Sequence, residues 1–265
     1  MRFSKWHGLG NDYLLIERAD AGAPLEAPLV RRLCDYHLGI GSDGILEVLA
    51  VEGSRADVVI WNPDGSTAEL SGNGTRIAAR WLARRAAADE VTIAVGRREV
   101  RAEMRNGLEV KTDMGRVTVS PTEELDVDGT PLEFTPVSVG NPHAVIRRDP
   151  ERSELLRLGP LVENHPRFPE RTNVQLVRVD SPGEATVGVW ERGAGETLSS
   201  GTSAVAVAAA ALTNGWCASP ITVHLAGGDL RVELDDELHA HLTGPAQEIC
   251  TGEVSAELLA EVATG

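Results

Sequence analysis

The sequence predicts an α/β protein of two pseudo-repeated halves, each a curled, mainly antiparallel sheet around a central helix. The first observation is an internal repeat: residues 55–72, RADVVIWNPDGSTAELSG, align without a gap on residues 184–201, EATVGVWERGAGETLSSG, after a shift of 129 positions. The second is that strand-like segments outnumber helical ones, while each half has one apolar helix able to fill a curled sheet. These observations predict a duplicated fold with one site between its halves.

The first half is predicted to alternate strands with two helices. It begins with a strand, a tight turn over Gly8–Asp12 and a second strand over Tyr13–Glu17. A short amphipathic helix over Leu29–His37 and a glycine-punctuated turn, GIGSDGILEVL, lead into an apolar strand. The remaining predicted elements are a strand over Arg55–Trp61, a helix over Ser71–Arg85, and strands over Val91–Val100 and Arg101–Thr112 with turns at Gly96-Arg97 and Asn106-Gly107.

The second half is predicted to follow a similar order after a transition over Asp113–Pro121. Its alanine-rich helix, Gly201–Leu212, is apolar nearly all round and is therefore predicted to be buried. The other predicted elements are a strand–turn–strand segment over Pro131–Val145, a helix over Arg152–Glu163, a proline-broken loop over His165–Asn173, strands over Val174–Val179, Thr186–Trp190, Ile221–Val223, Asp229–Leu234 and His239–Leu242, and a last helical turn or two over Glu257–Ala263.

Length and composition narrow the class of protein. The 265 residues are enough for two domains, predicted as 1–117, with 252–265 returning to it, and 118–251. The net charge of −15 argues against a nucleic-acid partner, and no apolar run reaches the roughly 18 residues of a membrane span. The start, MRFSKWHGLGNDYLLIE, lacks the apolar region of a signal peptide, so we expect a cytoplasmic protein.

The basic and sulfur-containing residues give no sign of a separate binding site. Arg80–Arg85, with Arg76 upstream, have helical spacing and are predicted to form a solvated helix face. Cys34, Cys217 and Cys250 are widely spaced without a C-x-x-C pattern, which favours buried structural thiols. We therefore expect no metal site.

Two kinds of polar loop occur once in each half. Asn11 and Asn141 both lie at a turn between strands, where asparagine is common for local reasons, although its recurrence favours a paired site. Ser71-Gly72 and Ser200-Gly201 both stand where a helix should begin. Such an N-terminus binds anions, but a serine there can equally be a simple N-cap, and the residues alone leave both roles open.

Eight motifs occur in order along nearly the whole chain. They are KWHGLGNDYLLIE, GIGSDGIL, NPDGSTAELSGNGTR, GNPHAV, FPERTNV, ERGAGETLSSGTS, AGGDLRVEL and LTGPAQEICTGE. In this order they resemble the diaminopimelate epimerase family. The resemblance implies a two-base isomerase without pyridoxal phosphate or another cofactor. It would interconvert LL- and meso-diaminopimelate, for lysine and peptidoglycan synthesis, in a cleft between two similar halves. It also implies a homodimer.

The family pattern has a cysteine at the head of each paired helix, and this chain has serine at both positions, Ser71 and Ser200. A thiolate forms readily at a helix N-terminus, whereas an alcohol is a poor base unless a neighbour takes its proton. By resemblance, His143 and Glu191 are the candidates to activate these serines. The neighbouring ETLSSGTSAVA also departs from the family's ETLACGTGACA, which favours natural divergence over a targeted change.

The resemblance also assigns substrate contacts to residues that match the family motifs. The distal amino-acid end is expected at Asn11, Asn62, Asn173, Glu191 and Arg192. The reacting carboxylate is expected at the N–H groups of Gly72-Asn73 and Gly201-Thr202, with Asn141 at the paired turn. Gly44 departs from family members that carry a binding side chain there. A dehydratase or isomerase of the same fold, or a non-catalytic diaminopimelate-binding homologue, remain alternative functions.

Overall fold

The chain forms two units of related topology, and the predicted α/β fold class is confirmed. Unit 1 contains Met1–Thr112 and Pro245–Gly265, and unit 2 contains Asp113–Gly244. The computed structural model describes residues 1–264, and side chains as far as residue 262. The predicted domain limits lie a few residues from these positions and stay predictions. Within the described range, no helix is both long and apolar enough to cross a membrane.

Unit 1 combines a mixed, mainly antiparallel sheet with one long helix. Its elements, up to the point where the chain leaves it, are β1 (Arg2–Gly8), β2 (Asn11–Glu17), α1 (Arg18–Ala21), α2 (Ala27–Cys34), β3 (Ile45–Glu52), β4 (Arg55–Trp61), β5 (Thr67–Ala68), α3 (Gly72–Ala86), β6 (Glu90–Val95), β7 (Arg98–Met104) and β8 (Glu109–Arg116). The pairs β2–β3 and β4–β6 are parallel, whereas β1–β2, β3–β4 and β6–β7 are antiparallel.

Unit 2 repeats this pairing pattern, which supports the duplication inferred from the sequence. Its elements are β9 (Thr118–Val119), β10 (Glu123–Val127), β11 (Thr130–Ser138), β12 (Pro142–Arg147), α4 (Arg152–Glu163), β13 (Asn173–Ser181), β14 (Glu184–Glu191), β15 (Gly195–Glu196), α5 (Gly201–Thr213), β16 (Ile221–Leu225), β17 (Gly228–Leu234) and β18 (His239–Pro245). Here β12–β13 and β14–β16 are the parallel pairs. The chain then adds β19 (Gln247–Glu253), antiparallel to β1, and α6 (Ala256–Thr264).

The two long helices are buried to different extents, as their sequences require. In α5 every residue from Gly201 to Ala211 is buried, so the prediction from its apolar composition is confirmed. In α3 one face, including Ile77 and Leu82, belongs to the core of unit 1. Arg84 and Arg85 on α3 are exposed as predicted. Arg76 is 0% exposed, so the prediction of a solvated face is wrong for this residue.

Several local predictions need correction. Helix α2 ends at Cys34 rather than His37, because Asp35 is extended (ψ 125°). The Asp35 carboxylate then accepts the N–H groups of His37 at 2.8 Å and Leu38 at 2.7 Å. Cys34 and Cys217 are buried thiols as predicted, whereas Cys250 is exposed because it lies on β19, most of whose residues face solvent.

Candidate active site

Ser71 forms the N-cap of α3 in unit 1. Its backbone is extended (φ −135°, ψ 121°), and its Oγ accepts a hydrogen bond from the Gly74 N–H at 3.0 Å. The phenol of Tyr13, on β2, lies 3.1 Å from the same Oγ, and either hydroxyl can donate. The serine is therefore both a helix cap and the hydrogen-bond partner of a second hydroxyl.

Space for the Tyr13 ring depends on Gly44. A Cβ added at Gly44 would lie 2.5 Å from the Trp61 carbonyl oxygen and 2.7 Å from Tyr13 Cε1. Real Cβ atoms do not approach other atoms this closely, so the ring and a side chain at position 44 exclude one another in this arrangement. The departure from the family at Gly44 is thus linked to the tyrosine that contacts Ser71.

Four side chains of unit 1 form a hydrogen-bonded chain beside the N-terminus of α3. Arg76 Nη2 donates to Asn73 Oδ1 at 2.6 Å, Asn73 Nδ2 donates to Asn11 Oδ1 at 2.9 Å, and Asn11 Nδ2 donates to Asp43 Oδ2 at 2.9 Å. A guanidinium only donates and a carboxylate only accepts, so Arg76 at one end and Asp43 at the other fix the orientation of both amides. The two predicted asparagines are therefore held in one arrangement by a cation and an anion.

Arg76 and Asp43, the two ends of this row of hydrogen bonds, have shifted pKa values because both side chains are shielded from water. Burial lowers the pKa of Arg76 to about 10, and its Nη1 donates to the Gly72 carbonyl at 3.1 Å. Its Nε has no hydrogen-bond partner in the described part of the chain. Burial also raises the pKa of Asp43, and the charge of nearby Asp12 acts in the same direction. A buried cation thus lies in the first turns of α3.

Ser200 occupies the matching position in unit 2, at the N-cap of α5. Its backbone is again extended (φ −141°, ψ 119°), and its Oγ accepts weakly from the Ser203 N–H at 3.5 Å. The Ser200 hydroxyl donates to Glu191 Oε2 at 3.1 Å, and the Thr197 hydroxyl donates to Glu191 Oε1 at 2.7 Å. Here the partner of the serine is a carboxylate, whereas in unit 1 it is a phenol.

His143 is fully buried on β12 and has a hydrogen bond at each ring nitrogen. The Gln175 amide nitrogen donates to Nδ1 at 3.0 Å, which makes Nδ1 an acceptor and places the proton on Nε2. Nε2 then donates to Asn141 Oδ1 at 2.9 Å. Burial lowers the pKa of His143 to about 3, and the charge of Arg192 acts in the same direction. The imidazole is thus neutral and holds Asn141, whose amide lies 3.5 Å from Thr202 Oγ1.

Asn173 and Arg192 are joined through the backbone. Asn173 is 5% exposed; its Nδ2 donates to the Pro142 carbonyl at 2.9 Å and its Oδ1 accepts the Arg192 N–H at 3.0 Å. The Arg192 guanidinium donates to the Glu170 carbonyl at 3.1 Å, and the residue is exposed. Asn173 therefore fixes the backbone of Arg192, and its amide nitrogen has a second hydrogen that a ligand can accept.

A buried carboxylate accepts the ring N–H of the repeated tryptophan in each unit. In unit 2, Glu163 accepts from Trp190 Nε1 at 2.7 Å and from the Gly193 N–H at 2.8 Å. In unit 1, Glu47 accepts from Trp61 Nε1 at 3.0 Å. The tryptophans correspond in the repeat, but one glutamate lies on a helix and the other on a strand, so the alignment does not reveal the pairing.

The remaining predicted residues lie at the expected elements. Asn62 follows β4 and its amide donates to Ser66 Oγ at 2.9 Å within the turn, as local turn chemistry requires. Gly72 and Gly201 begin α3 and α5 and, with Thr202, are buried. First-turn N–H groups of a helix have no acceptor within the helix, so these N-termini offer donors for an anion.

Among the residues that contact the predicted ones, sequence reasoning missed Tyr13, Asp43, Arg76 and Gln175. Gln175 gave a signal, because it is a polar residue between Val174 and Leu176 in an otherwise apolar strand. The other three lie in or beside the quoted motifs, but a strand aromatic, a turn aspartate and a helix arginine all have ordinary local explanations.

The chain is similar in sequence to known diaminopimelate epimerases and similar in fold to solved structures. The family model described as diaminopimelate epimerase matches residues 3–120 and 135–249. A diaminopimelate epimerase from Desulfitobacterium hafniense is 38% identical over 278 residues, covering 95% of this chain and 97% of that protein. One from Moorella thermoacetica is 39% identical over 275 residues, covering 96% and 99%. The crystal structure of a hydroxyproline epimerase from Agrobacterium vitis has 15% identity and a TM-score of 0.74, covering 97% and 92%.

The two-unit fold, with a capped helix opening beside a hairpin turn in each unit, is the fold shared with that hydroxyproline epimerase and with a probable proline racemase from Agrobacterium radiobacter. Among proteins of this fold the sequence match is specific and covers nearly the whole chain. The chain belongs to the diaminopimelate epimerase family.

Proposed function

We propose that this chain is an isomerase that interconverts LL- and meso-diaminopimelate by moving the α-proton, without a cofactor. The observation that carries the proposal is that each serine at a family cysteine position has a partner for its proton. Ser200 donates to Glu191 and Ser71 contacts Tyr13. Family membership supplies the substrate, and these contacts supply the chemistry that serine alone lacks.

In one direction, the step at Ser200 begins with its Oγ facing the α-hydrogen of the substrate. The C–H bond breaks, its electron pair stays on Cα, and the proton passes to Oγ as the serine hydroxyl proton moves to Glu191 Oε2. The proton acceptor is then effectively a carboxylate, and an alkoxide is never fully formed. Glu191 ends protonated, and solvent removes its proton.

The step at Ser71 completes the inversion at the other face of Cα. The serine hydroxyl proton forms the new C–H bond while the Tyr13 phenol proton moves to Ser71 Oγ. A phenol is more acidic than an aliphatic alcohol, so this relay is a better acid than serine alone. Tyr13 regains its proton from solvent, and the reverse reaction uses the same groups in the opposite order.

The carbanion needs stabilisation, and we assign this to the two helix N-termini. The N–H groups of Gly72-Asn73 and Gly201-Thr202 hold the carboxylate on which the negative charge develops. Buried Arg76 adds positive charge close to the first of them. Within each unit these donors belong to the helix backbone, so their orientation does not depend on side-chain rotation.

The distal amino-acid end is assigned to the asparagines and Arg192. Arg192 can hold a carboxylate, while Asn11, Asn62 and Asn173 can accept from an ammonium or donate to a carboxylate. His143 is assigned a positioning role, because both of its ring nitrogens already contact Asn141 and Gln175. Glu191 is assigned to Ser200 rather than to the distal end, since both its oxygens accept from hydroxyls.

The test is conversion of LL-diaminopimelate to the meso isomer by the purified protein, followed by chiral chromatography. Conversion without added pyridoxal phosphate or metal is the expected result. If the protein binds diaminopimelate without converting it, the double serine favours a non-catalytic binding protein. A keto or unsaturated product in the mass spectrum would instead establish a dehydratase or isomerase of the same fold.

Three further properties, which concern partners and location, are also proposed. We propose that the protein is a homodimer and that it acts in the cytoplasm without a nucleic-acid partner. Sedimentation equilibrium of the full chain should give twice the mass of one chain, 28.3 kDa, and a single-chain mass would contradict the dimer. Cell fractionation tests the location.

A further inference from the structure

Three possible metal ligands meet in unit 2, apart from the residues assigned to proton transfer. One ligand atom from each of Asp113, His239 and His241 lies within 4.8 Å of the others. The two histidines are two residues apart on β18 and therefore project from the same face of the strand. Ala240 between them is buried, whereas both histidines are partly exposed, so the cluster lies on the outer face of the sheet and is accessible to solvent.

The carboxylate and one imidazole are already oriented toward each other. Asp113 Oδ1 accepts the Gly115 N–H at 2.9 Å, and His239 Nε2 lies 2.6 Å from the same oxygen. The His239 and His241 rings are 5.3 Å apart at their centroids, with their planes tilted by 42°. Backbone hydrogen bonds that orient a carboxylate in this way are typical of the partners surrounding metal ligands.

We propose that Asp113, His239 and His241 form a binding site for Zn²⁺. Zinc binds imidazole nitrogen and carboxylate oxygen at about 2.0–2.2 Å, which in a tetrahedral site places ligand atoms roughly 3.3 Å apart. The short His239–Asp113 contact has to open slightly and His241 has to approach, which rotation about side-chain bonds provides. Two nitrogens and one oxygen, with a fourth position for water, suit zinc rather than Mg²⁺ or Ca²⁺.

The charges around the cluster favour a cation. Glu233 on β17 is the cross-strand neighbour of His241, and the Asp235 carboxylate accepts the His239 N–H at 2.9 Å. Arg231, also on β17, brings a positive charge, with its Nε 3.4 Å from Glu233 Oε1. The bound ion would join the first residue of unit 2 to a strand 126 positions later in the chain. That separation is why the ligand spacing gave no metal signal in the sequence.

The test is isothermal titration of the full chain with ZnCl₂, using Cys250→Ser as the parent because this exposed thiol can bind zinc itself. One zinc ion per chain is expected, and MgCl₂ should give no binding. His241→Ala should raise the dissociation constant by at least about tenfold. The matched control is His224→Ala, which should leave binding unchanged. His224 lies 2.8 Å from Asp229, and the described part of the chain brings no third ligand to this pair.

A folding control separates loss of the site from loss of structure. Without metal, His241→Ala and the parent should melt at similar temperatures, because His241 is partly exposed. With zinc, the melting temperature of the parent should rise while that of His241→Ala stays constant. Absence of zinc binding by the parent, or equal binding by the His241→Ala and His224→Ala variants, would overturn the proposal. Neither readout depends on diaminopimelate turnover, so the two proposals fail separately.

Discussion

Replacing Glu191 with glutamine tests whether this carboxylate is the proton acceptor for Ser200. Glutamine keeps the shape and can still bond the hydroxyls of Ser200 and Thr197, which lie 3.1 Å and 2.7 Å from the carboxylate oxygens. It has no charge and cannot take a proton. A positioned general base contributes about 10²–10⁴-fold, which is roughly 2.7–5.4 kcal/mol of barrier at about 1.36 kcal/mol per factor of ten. We expect proton removal through Ser200 to slow by that factor.

The assay is deuterium exchange at Cα in heavy water, measured by proton NMR for LL- and meso-diaminopimelate separately. Removal of the proton from one configuration depends on Ser200, and from the other on Ser71. Glu191→Gln should therefore slow exchange more strongly for one isomer. Tyr13→Phe, which removes the hydroxyl 3.1 Å from Ser71 Oγ, should slow exchange more strongly for the other isomer.

The matched control is Glu196→Gln, in the short strand that pairs with Glu191's strand. Glu196 is bonded to Arg152 at 2.8 Å rather than to a serine, so its substitution should leave exchange of both isomers unchanged. If the Glu191→Gln variant exchanges the α-proton of both isomers as fast as the unmodified protein, the role of the carboxylate is refuted. If the Glu191 and Tyr13 variants both slow exchange more strongly for the same isomer, the assignment of each serine to one isomer is refuted.

Three further predictions follow from the same contacts. Ser71→Cys/Ser200→Cys should raise epimerisation by orders of magnitude, because a thiolate forms far more readily than an alkoxide at a helix N-terminus; steady-state assays check this. Burial lowers the pKa of His143 to about 3 in the folded protein. As the pH falls below about 6.5 the unfolded state therefore binds one more proton than the folded state, and the free energy of unfolding decreases by up to about 1.4 kcal/mol per pH unit. In urea unfolding at several pH values, the free energy of unfolding of His143→Gln should depend less steeply on pH. Gly44→Ala should destabilise by about 1–3 kcal/mol in urea unfolding because its Cβ would lie 2.5 Å from a carbonyl oxygen, whereas Gly183→Ala, with its nearest neighbour at 3.6 Å, should not clash.

The repeat and the helix positions were accessible from sequence because they depend on local pattern. The ungapped shift brings Ser71 onto Ser200, and both prove to be N-caps with nearly the same backbone angles. The burial of α5 follows from composition alone, since a helix that is apolar all round is stable only inside the protein.

The elements that were missed depend on partners distant in sequence. Strand β19, QEICTGE, has no alternation of buried and exposed residues, so only its pairing with β1 makes it a strand. Arg76 violates the expectation that charged residues face water, because Gly72 and Asn73 within its own helix accept its hydrogen bonds.

In the candidate site, too, the residues fixed by local motifs were predicted and the contacts between distant residues were not. The family motifs identify Ser71, Ser200 and the asparagines, since these are fixed by position within a motif. The contact between Tyr13 and Ser71 spans 58 residues and depends on the space left by Gly44. Substitutions that compensate for one another across such distances cannot be read from one sequence, although they decide which chemistry is possible.

The most direct measurement is deuterium incorporation at Cα of LL-diaminopimelate in heavy water, compared between the unmodified chain and Ser71→Ala/Ser200→Ala. The α-deuterated meso isomer is the predicted product of the unmodified chain. The double alanine variant, which retains the helix N–H groups but neither hydroxyl, is predicted to incorporate no deuterium. Equal incorporation by the two proteins, or none by the unmodified chain with bound diaminopimelate, would contradict the assignment of Ser71 and Ser200 as the proton-transferring residues.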